Sequence, residues 1–151
     1  MQVTIIPMQR GHIPAIAALE AICFSTPWTA EGLSEELENP QAHFLTAVES
    51  DTVCGYIGVQ EIRGEGYVTN VAVLPQFRRA GIARALLTAA VQGAKARGCA
   101  FLSLEVRTGN TAAIRLYESL GFRFVGIRKN FYREPAEDAC IYTLYMKEEY
   151  T

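Results

Sequence analysis

The chain has 151 residues, half of them hydrophobic and a fifth charged, which excludes intrinsic disorder and makes a single domain the expectation. Fourteen basic residues stand against sixteen acidic ones, for a net charge of −2. That balance argues against a general binder of nucleic acid or of membrane surfaces, because both need a basic surplus.

No apolar run is long enough to span a membrane as a helix, and no basic segment precedes an apolar stretch at the N-terminus. The expected compartment is the cytoplasm. Cys23, Cys54, Cys99 and Cys140 form no C-x-x-C pair and lie in no ligand-like spacing with His12 or His43, so no metal site is expected. Each cysteine has apolar neighbours, and the simplest expectation is four reduced thiols packed in a core.

Residues 3–7 read as a short strand, and Ile13, Ile16, Ala17 and Glu20 fall at the spacing of a helix that runs to about Ile22. Thr29 is a good N-cap for a second short helix carrying Leu33 and Leu37, which Asn39-Pro40 stops. Residues 44–49 and 53–62 predict two strands joined at Ser50-Asp51, and residues 67–73 a third. The period then changes. From Gly81 the positions Ile82, Leu86, Ala89, Ala90 and Gly93 follow helical spacing, with Lys95 and Arg97 in the last turn and Gly98 as a left-handed cap.

Residues 101–107 alternate strictly as a strand, residues 111–120 form another helix closed by Gly121, and residues 124–131 and 140–147 predict two final strands around a loop at 133–138. The resulting order, β-α-α-β-β-β-α-β-α-β-β, predicts an α/β (α+β) fold with helices packed on a mixed sheet.

The segment from Val71, Ala72 and Val73 through Arg78, Arg79, Ala80, Gly81, Ile82 and Ala83 is the most informative in the chain. A strand ends, an arginine-rich loop follows, and a helix opens on glycine. The first turn of a helix has four backbone N–H groups without intrahelical partners and the positive end of the dipole. Small residues there let an anion approach the backbone, and Arg78, Arg79 and Arg84 add charge around the same point. Polyphosphate binding is the natural inference. Neither a P-loop nor a dinucleotide G-x-G-x-x-G motif is present.

Arg78-x-x-Gly81-x-Ala83 after Val-Ala-Val resembles the acetyl-coenzyme A signature of the GNAT N-acetyltransferases. Leu104-Glu105-Val106-Arg107, Asn110-Thr111-Ala112-Ala113-Ile114 and Leu116-Tyr117-Glu118-Ser119-Leu120-Gly121-Phe122 are similar to one branch of that superfamily, the bacterial ribosomal-protein-alanine N-acetyltransferases. The resemblance spans essentially the whole chain and is specific from about Asn70 to Leu144. It implies a mostly antiparallel GNAT-like sheet and acetyl-CoA as cofactor, with no metal. It also implies pyrophosphate on the backbone of residues 78–83, the pantetheine arm along Val71, Ala72 and Val73, and a contact from Asn110.

Two residues are candidates for acid–base work. Alternation places Glu105 on the polar face of its strand with Ser103 and Arg107, where it could equally be an ordinary carboxylate paired with Arg107. Tyr117 lies in the helical stripe Ala113, Leu116, Tyr117, Leu120, which by itself reads as core. Acetyl transfer needs an amine as its free base, and an α-amine with a reference pKa of about 7.7–8.0 is mostly protonated at neutral pH. The resemblance implies that Glu105 is the general base, that Tyr117 is the general acid for the departing thiolate, and that transfer is direct.

On the acceptor side, the resemblance implies a groove between the loop after the first helix, with Trp28, and the last hairpin, with Tyr132, Glu137 and Asp138. Residue by residue, Trp28 also reads as a helix-flanking core anchor, and Glu137 and Asp138 as solubilising a turn. Phe131 stands where the branch commonly has tyrosine. The implied acceptor is a protein or peptide N-terminus, that of a ribosomal protein by the branch resembled, with no direct contact to nucleic acid or membrane. A GNAT enzyme acting on a small amine or a lysine, and a non-catalytic acyl-CoA-binding module, are the alternatives.

Overall fold

The computed structural model describes residues 2–147. Eleven main elements follow the expected order: β1 (Thr4–Pro7), α1 (Ile13–Cys23), α2 (Ala30–Leu37), β2 (Leu45–Glu49), β3 (Thr52–Ile62), β4 (Glu65–Val73), α3 (Ile82–Ala96), β5 (Phe101–Arg107), α4 (Thr111–Ser119), β6 (Arg123–Arg133) and β7 (Ala136–Tyr145). The strands form one seven-stranded sheet in the order β1-β2-β3-β4-β5-β7-β6. Every neighbouring pair is antiparallel except β4 and β5, which run parallel.

Local chemistry explains the first half of the sheet. Ser50 and Asp51, then Arg63 and Gly64, all have positive φ, and each pair forms the two-residue link of a hairpin. Turns of that hand match the twist of the strands they join. Thr29 caps α2 as its residue type suggests, its Oγ1 accepting the Gly32 N–H at 3.0 Å. Pro14 stands in the first turn of α1, where its missing N–H costs nothing.

The two faces of the sheet carry separate cores. Ile82, Leu86, Leu87 and Ala90 of α3 and Tyr117 of α4 pack on Leu102, Leu104 and Val106, the inward-pointing set of β5. Ile13, Ile16 and Leu19 of α1 and Leu33 of α2 pack on Phe44, Tyr56 and Ala72 across the opposite face. Glu105 alternates with the inward set of β5, so it lies on the α1–α2 side of the sheet.

Two irregularities in β4 shape the site. Val68 pairs with Val59 and Asn70 with Gly58, so Thr69 between them is an extra, bulged residue. Pairing of β4 with β5 covers only Glu65 to Tyr67 against Phe101 to Ser103. Gly66 permits that approach, since a Cβ there would lie 3.1 Å from the Phe101 carbonyl and 3.0 Å from Leu102 Cδ1. Beyond it the two strands separate, and the sheet opens between Val71–Val73 and the end of β5.

The final hairpin differs from its sequence expectation. β6 runs to Arg133 and β7 starts at Ala136, so the expected loop at 133–138 shrinks to the turn Glu134-Pro135. Charged residues on an edge hairpin have no buried face to reveal a period of two, so composition alone reads as loop. A bulge between Arg128 and Tyr132 places Asn130 at φ 55°, and Asp138 Oδ1 accepts its N–H at 2.8 Å. The thiols also divide: Cys54 and Cys99 are buried, whereas Cys23 and Cys140 are only partly covered.

Candidate active site

The gap between β4 and β5 is the mouth of a cleft of about 620 Å³. Val71, Ala72 and Val73 form one wall. Asn110, Ala113, Leu116 and Tyr117, from the start and inner stripe of α4, form the other. The floor is the opening of α3, with Arg78, Arg79, Gly81, Ile82 and Ala83. Ala80 is exposed and stands outside the lining. Cys23, Phe24 and Phe77 also line the cleft, and no local motif marks them. Their place depends on how α1 ends against β4, which a linear pattern does not encode.

Gly81 serves the cleft in two ways. It precedes α3 with φ 78° and ψ 12°, the left-handed region that side chains disfavour. A Cβ placed there would meet nothing within 4 Å, so the backbone faces open space. The N–H groups of Ile82, Ala83 and Arg84 begin the helix without intrahelical partners, as at any helix start. Together with the dipole they make a cradle for an anion.

The three arginines differ in freedom. Arg78 Nε donates to the Val73 carbonyl at 3.2 Å, and its Nη2 lies 3.5 Å from Cys23 Sγ. Arg84 Nη2 donates to Ser119 Oγ at 2.9 Å, which ties α3 to α4 across the cleft. Arg79, at φ 64°, makes no side-chain hydrogen bond or ion pair among the described residues.

Asn110 caps α4, its Oδ1 accepting the Ala113 N–H at 3.2 Å, and this holds the amide at the cleft edge. Tyr117 is 5 % exposed and packs against Phe122 at 6.0 Å between ring centres, so the core reading of its stripe is correct. It also lines the cleft. Burial, with a smaller contribution from Tyr132, pushes its hydroxyl up to about 12.

Glu105 is partnered by Arg128 Nε at 3.6 Å, whereas the sequence suggested Arg107. The reason is register: Arg128 pairs with Ala139 of β7, and Glu105 with Ile141, which brings the two side chains together on one face. Tyr132 joins the site from β6. Its hydroxyl is pushed up to about 12, first by burial and then by the negative charge of Glu105, against the opposing pull of Arg107. Tyr132 is therefore within electrostatic reach of both Glu105 and Tyr117. Tyr117 lines the cleft, whereas Glu105 and Tyr132 stand outside its lining.

The remaining acceptor-side residues are held by the protein itself. Trp28 is half-buried against Phe44, with ring centres 5.7 Å apart, and its backbone N–H donates to Glu20 Oε1 at 2.8 Å. Glu137 accepts from Gly109 N at 2.7 Å, Thr108 Oγ1 at 3.2 Å and Arg107 Nη1 at 3.2 Å. Those bonds, the Gly109 N–H foremost, hold its carboxyl below the usual carboxylate range. Asp138 supports the β6 bulge.

The sequence places Glu20 in the apolar stripe of α1 but does not show its role. Its side chain is fully buried and accepts hydrogen bonds from Tyr56 Oη, Asn70 Nδ2 and the Trp28 N–H. Burial and this carboxylate push the Tyr56 hydroxyl up. Among the described residues no group of three or more His, Cys, Asp or Glu could hold a metal ion, and no helix is long and apolar enough to cross a membrane.

Residues 13–122 match the model of the acetyltransferase (GNAT) family. The ribosomal protein bS18-alanine N-acetyltransferase of Haemophilus ducreyi (strain 35000HP) is 38% identical over 133 residues, covering 85% of this chain and 90% of the relative. The enzyme of the same name from Escherichia coli (strain K12) is 34% identical over 143 residues, covering 93% and 96%. The crystal structure of the ribosomal-protein-S18-alanine N-acetyltransferase from Escherichia coli superposes with a TM-score of 0.89 at 32% identity, over 97% of this chain and 95% of that one.

Proposed function

Because the chain belongs to the GNAT acetyltransferase family, and is thus an acetyl-CoA-dependent N-acetyltransferase, we propose that its acceptor is the N-terminal α-amine of a ribosomal protein that begins with alanine. The observation that carries the reading is the seam between β4 and β5. Beside it one cleft holds an anion cradle at the start of α3 together with the phenol of Tyr117, while the Glu105 carboxylate lies on the opposite face of β5.

The residues fit the cofactor. The α3 N-terminus, with Arg79 free beside it, would hold the pyrophosphate, Val71 to Val73 would lie along the pantetheine arm, and Asn110 would border it. Bound there, acetyl-CoA supplies a thioester whose carbonyl carbon an amine attacks, forming the amide as the carbon–sulfur bond breaks.

Glu105 takes the proton from the ammonium, directly or through a water, and passes it to solvent. Arg128 Nε, 3.6 Å away, helps to hold the carboxylate in place. Tyr117 stays protonated throughout the physiological range, because its hydroxyl lies near 12, and so remains a donor to the departing sulfur. Tyr132, close to both, is placed to orient the acceptor amine.

The test is incubation with acetyl-CoA and three acceptors: an alanine-initiated peptide from a small-subunit ribosomal protein, the same peptide blocked at its α-amine but containing lysine, and a polyamine. Thiol release is followed, and product mass locates the acetyl group. The expected outcome is modification of the α-amine of the first peptide alone. Turnover of polyamine without peptide would reassign the acceptor, and no thiol release with any of the three would leave a binding module.

A further inference from the structure

We propose that Arg107 is a positioning residue that locks the two walls of the acceptor groove into one unit through the carbonyl of Glu134. The proposal rests on the reading above, in which the segment at 24–29 and the β6–β7 hairpin bound the acceptor.

Three separate parts of the chain meet at that carbonyl. Ser25 Oγ, from the segment between α1 and α2, donates to Glu134 O at 2.7 Å. Arg107 Nη2, from β5, donates to the same oxygen at 3.3 Å. Glu134 itself begins the β6–β7 turn. Arg107 holds the turn further by donating from Nη1 to Pro135 O at 2.8 Å and to Glu137 Oε1 at 3.2 Å. Its guanidinium also stacks on the Tyr132 ring, 4.3 Å from the centre.

A planar fork with five donors suits this set of acceptors. Lysine has neither the spread of donors nor the flat face for stacking. Arg107 stands two residues from Glu105 on the same face of β5, so the lock is referenced to the catalytic strand. On the other side, the segment carrying Ser25 runs from Phe24, which lines the cleft, to Trp28, whose backbone N–H is fixed by Glu20. Both walls are thus tied to β5 and to α1.

Removing Arg107 should free both walls at once, including one it does not bond directly. Trp28 is the chain's only tryptophan, so its fluorescence reports on the segment at 24–29 without any acceptor present. The experiment compares Arg107→Ala, Arg107→Lys and Ser25→Ala with the unaltered protein. It measures acrylamide quenching of Trp28, acetyl-CoA affinity, and steady-state kinetics with the alanine-initiated peptide.

Arg107→Ala and Ser25→Ala should both increase quenching. Arg107→Ala should raise the acceptor KM by about tenfold or more, as loss of charge-assisted bonds implies, while kcat and cofactor Kd change little. Ser25→Ala should raise that KM about fivefold, the effect of one neutral bond. Arg107→Lys should remain closer to the alanine variant than to the unaltered protein. Unchanged quenching in both Arg107→Lys and Ser25→Ala would overturn the lock even if Arg107→Ala does not fold. A fall confined to kcat would overturn it too, by making Arg107 part of the chemistry. If the unaltered protein turns over no N-terminal peptide, the acceptor reading fails, and the quenching data still decide whether the walls are joined.

Discussion

Glu137 Oε2 accepts the backbone N–H of Gly109 at 2.7 Å, so the last hairpin is bonded directly to the loop that leads into α4. Asn110 follows in that loop and caps the helix that carries Tyr117. A residue expected on the acceptor side thereby helps to set the position of the proposed acid.

That bond has a consequence for pH. The Gly109 N–H first, then Arg107 and Thr108, hold the Glu137 carboxyl below its ordinary value of 4.5. At pH values between the folded and the ordinary value, the unfolded chain binds more protons, so stability rises with pH there. The contribution is complete above about 4.5 and is lost as pH falls through the lower, folded value. Thermal melts of Glu137→Gln against the unaltered protein should differ by a constant amount from neutral pH to about pH 5, and converge below. A gap that widens on acidification would contradict the assignment.

How much could be read from the chain divides along sequence distance. The cradle was legible because strand end, arginine loop, Gly81 and helix are contiguous, and local rules act over that range. The Thr29 cap and the alternation of β5 were legible for the same reason. The role of Glu20 was not, although it falls in the stripe of Ile13 and Ile16, because its partners Tyr56 and Asn70 are 36 and 50 residues away. The lock at Arg107 spans 27 residues to Glu134, and the Ser25 contact spans 109. Glu105 was placed on the correct face, but its partner Arg128 follows from the register of β6 on β7, which two bulges displace.

Glu20 gives a stability prediction. Truncation to alanine would leave the Tyr56 hydroxyl, the Asn70 amide and the Trp28 N–H facing a buried void. Each unsatisfied buried group costs about 1–3 kcal/mol. Urea unfolding of Glu20→Ala should therefore show a loss of at least about 2 kcal/mol, and the Tm should fall by roughly 4–8 °C for a chain of this size. Glu20→Leu combined with Tyr56→Phe should recover part of it, since replacing both partners by apolar groups removes the orphaned hydroxyl. Equal losses in the single and double variants would show that the Tyr56 bond contributes nothing.

Gly81 should separate stability from affinity. Alanine fits the space, since a Cβ meets nothing within 4 Å, but φ 78° is unfavourable for it by about 1–2 kcal/mol. Aspartate tolerates that backbone region better and favours a helix start, yet it places a negative charge where phosphates would bind. Gly81→Ala should thus lose mainly thermal stability. Gly81→Asp should lose mainly acetyl-CoA affinity, by about tenfold or more given charge repulsion at short range. Calorimetric titration alongside thermal melts checks both, and equal affinity in all three proteins would place the cradle elsewhere.

Glu105 and Tyr117 should separate in their pH dependence. Both Glu105→Gln and Tyr117→Phe should keep acetyl-CoA affinity and lose about 10²-fold or more in kcat. Without Glu105, the amine must lose its proton to bulk solvent, so residual activity of Glu105→Gln should climb with pH until the amine is neutral, at about 7.7–8.0. Tyr117 sets the other end of the profile. With its hydroxyl near 12, the unaltered enzyme should show no alkaline fall in kcat up to about pH 10, where an ordinary tyrosine would be half ionised. A fall centred near 9 would mean that some group other than a buried Tyr117 serves the departing sulfur.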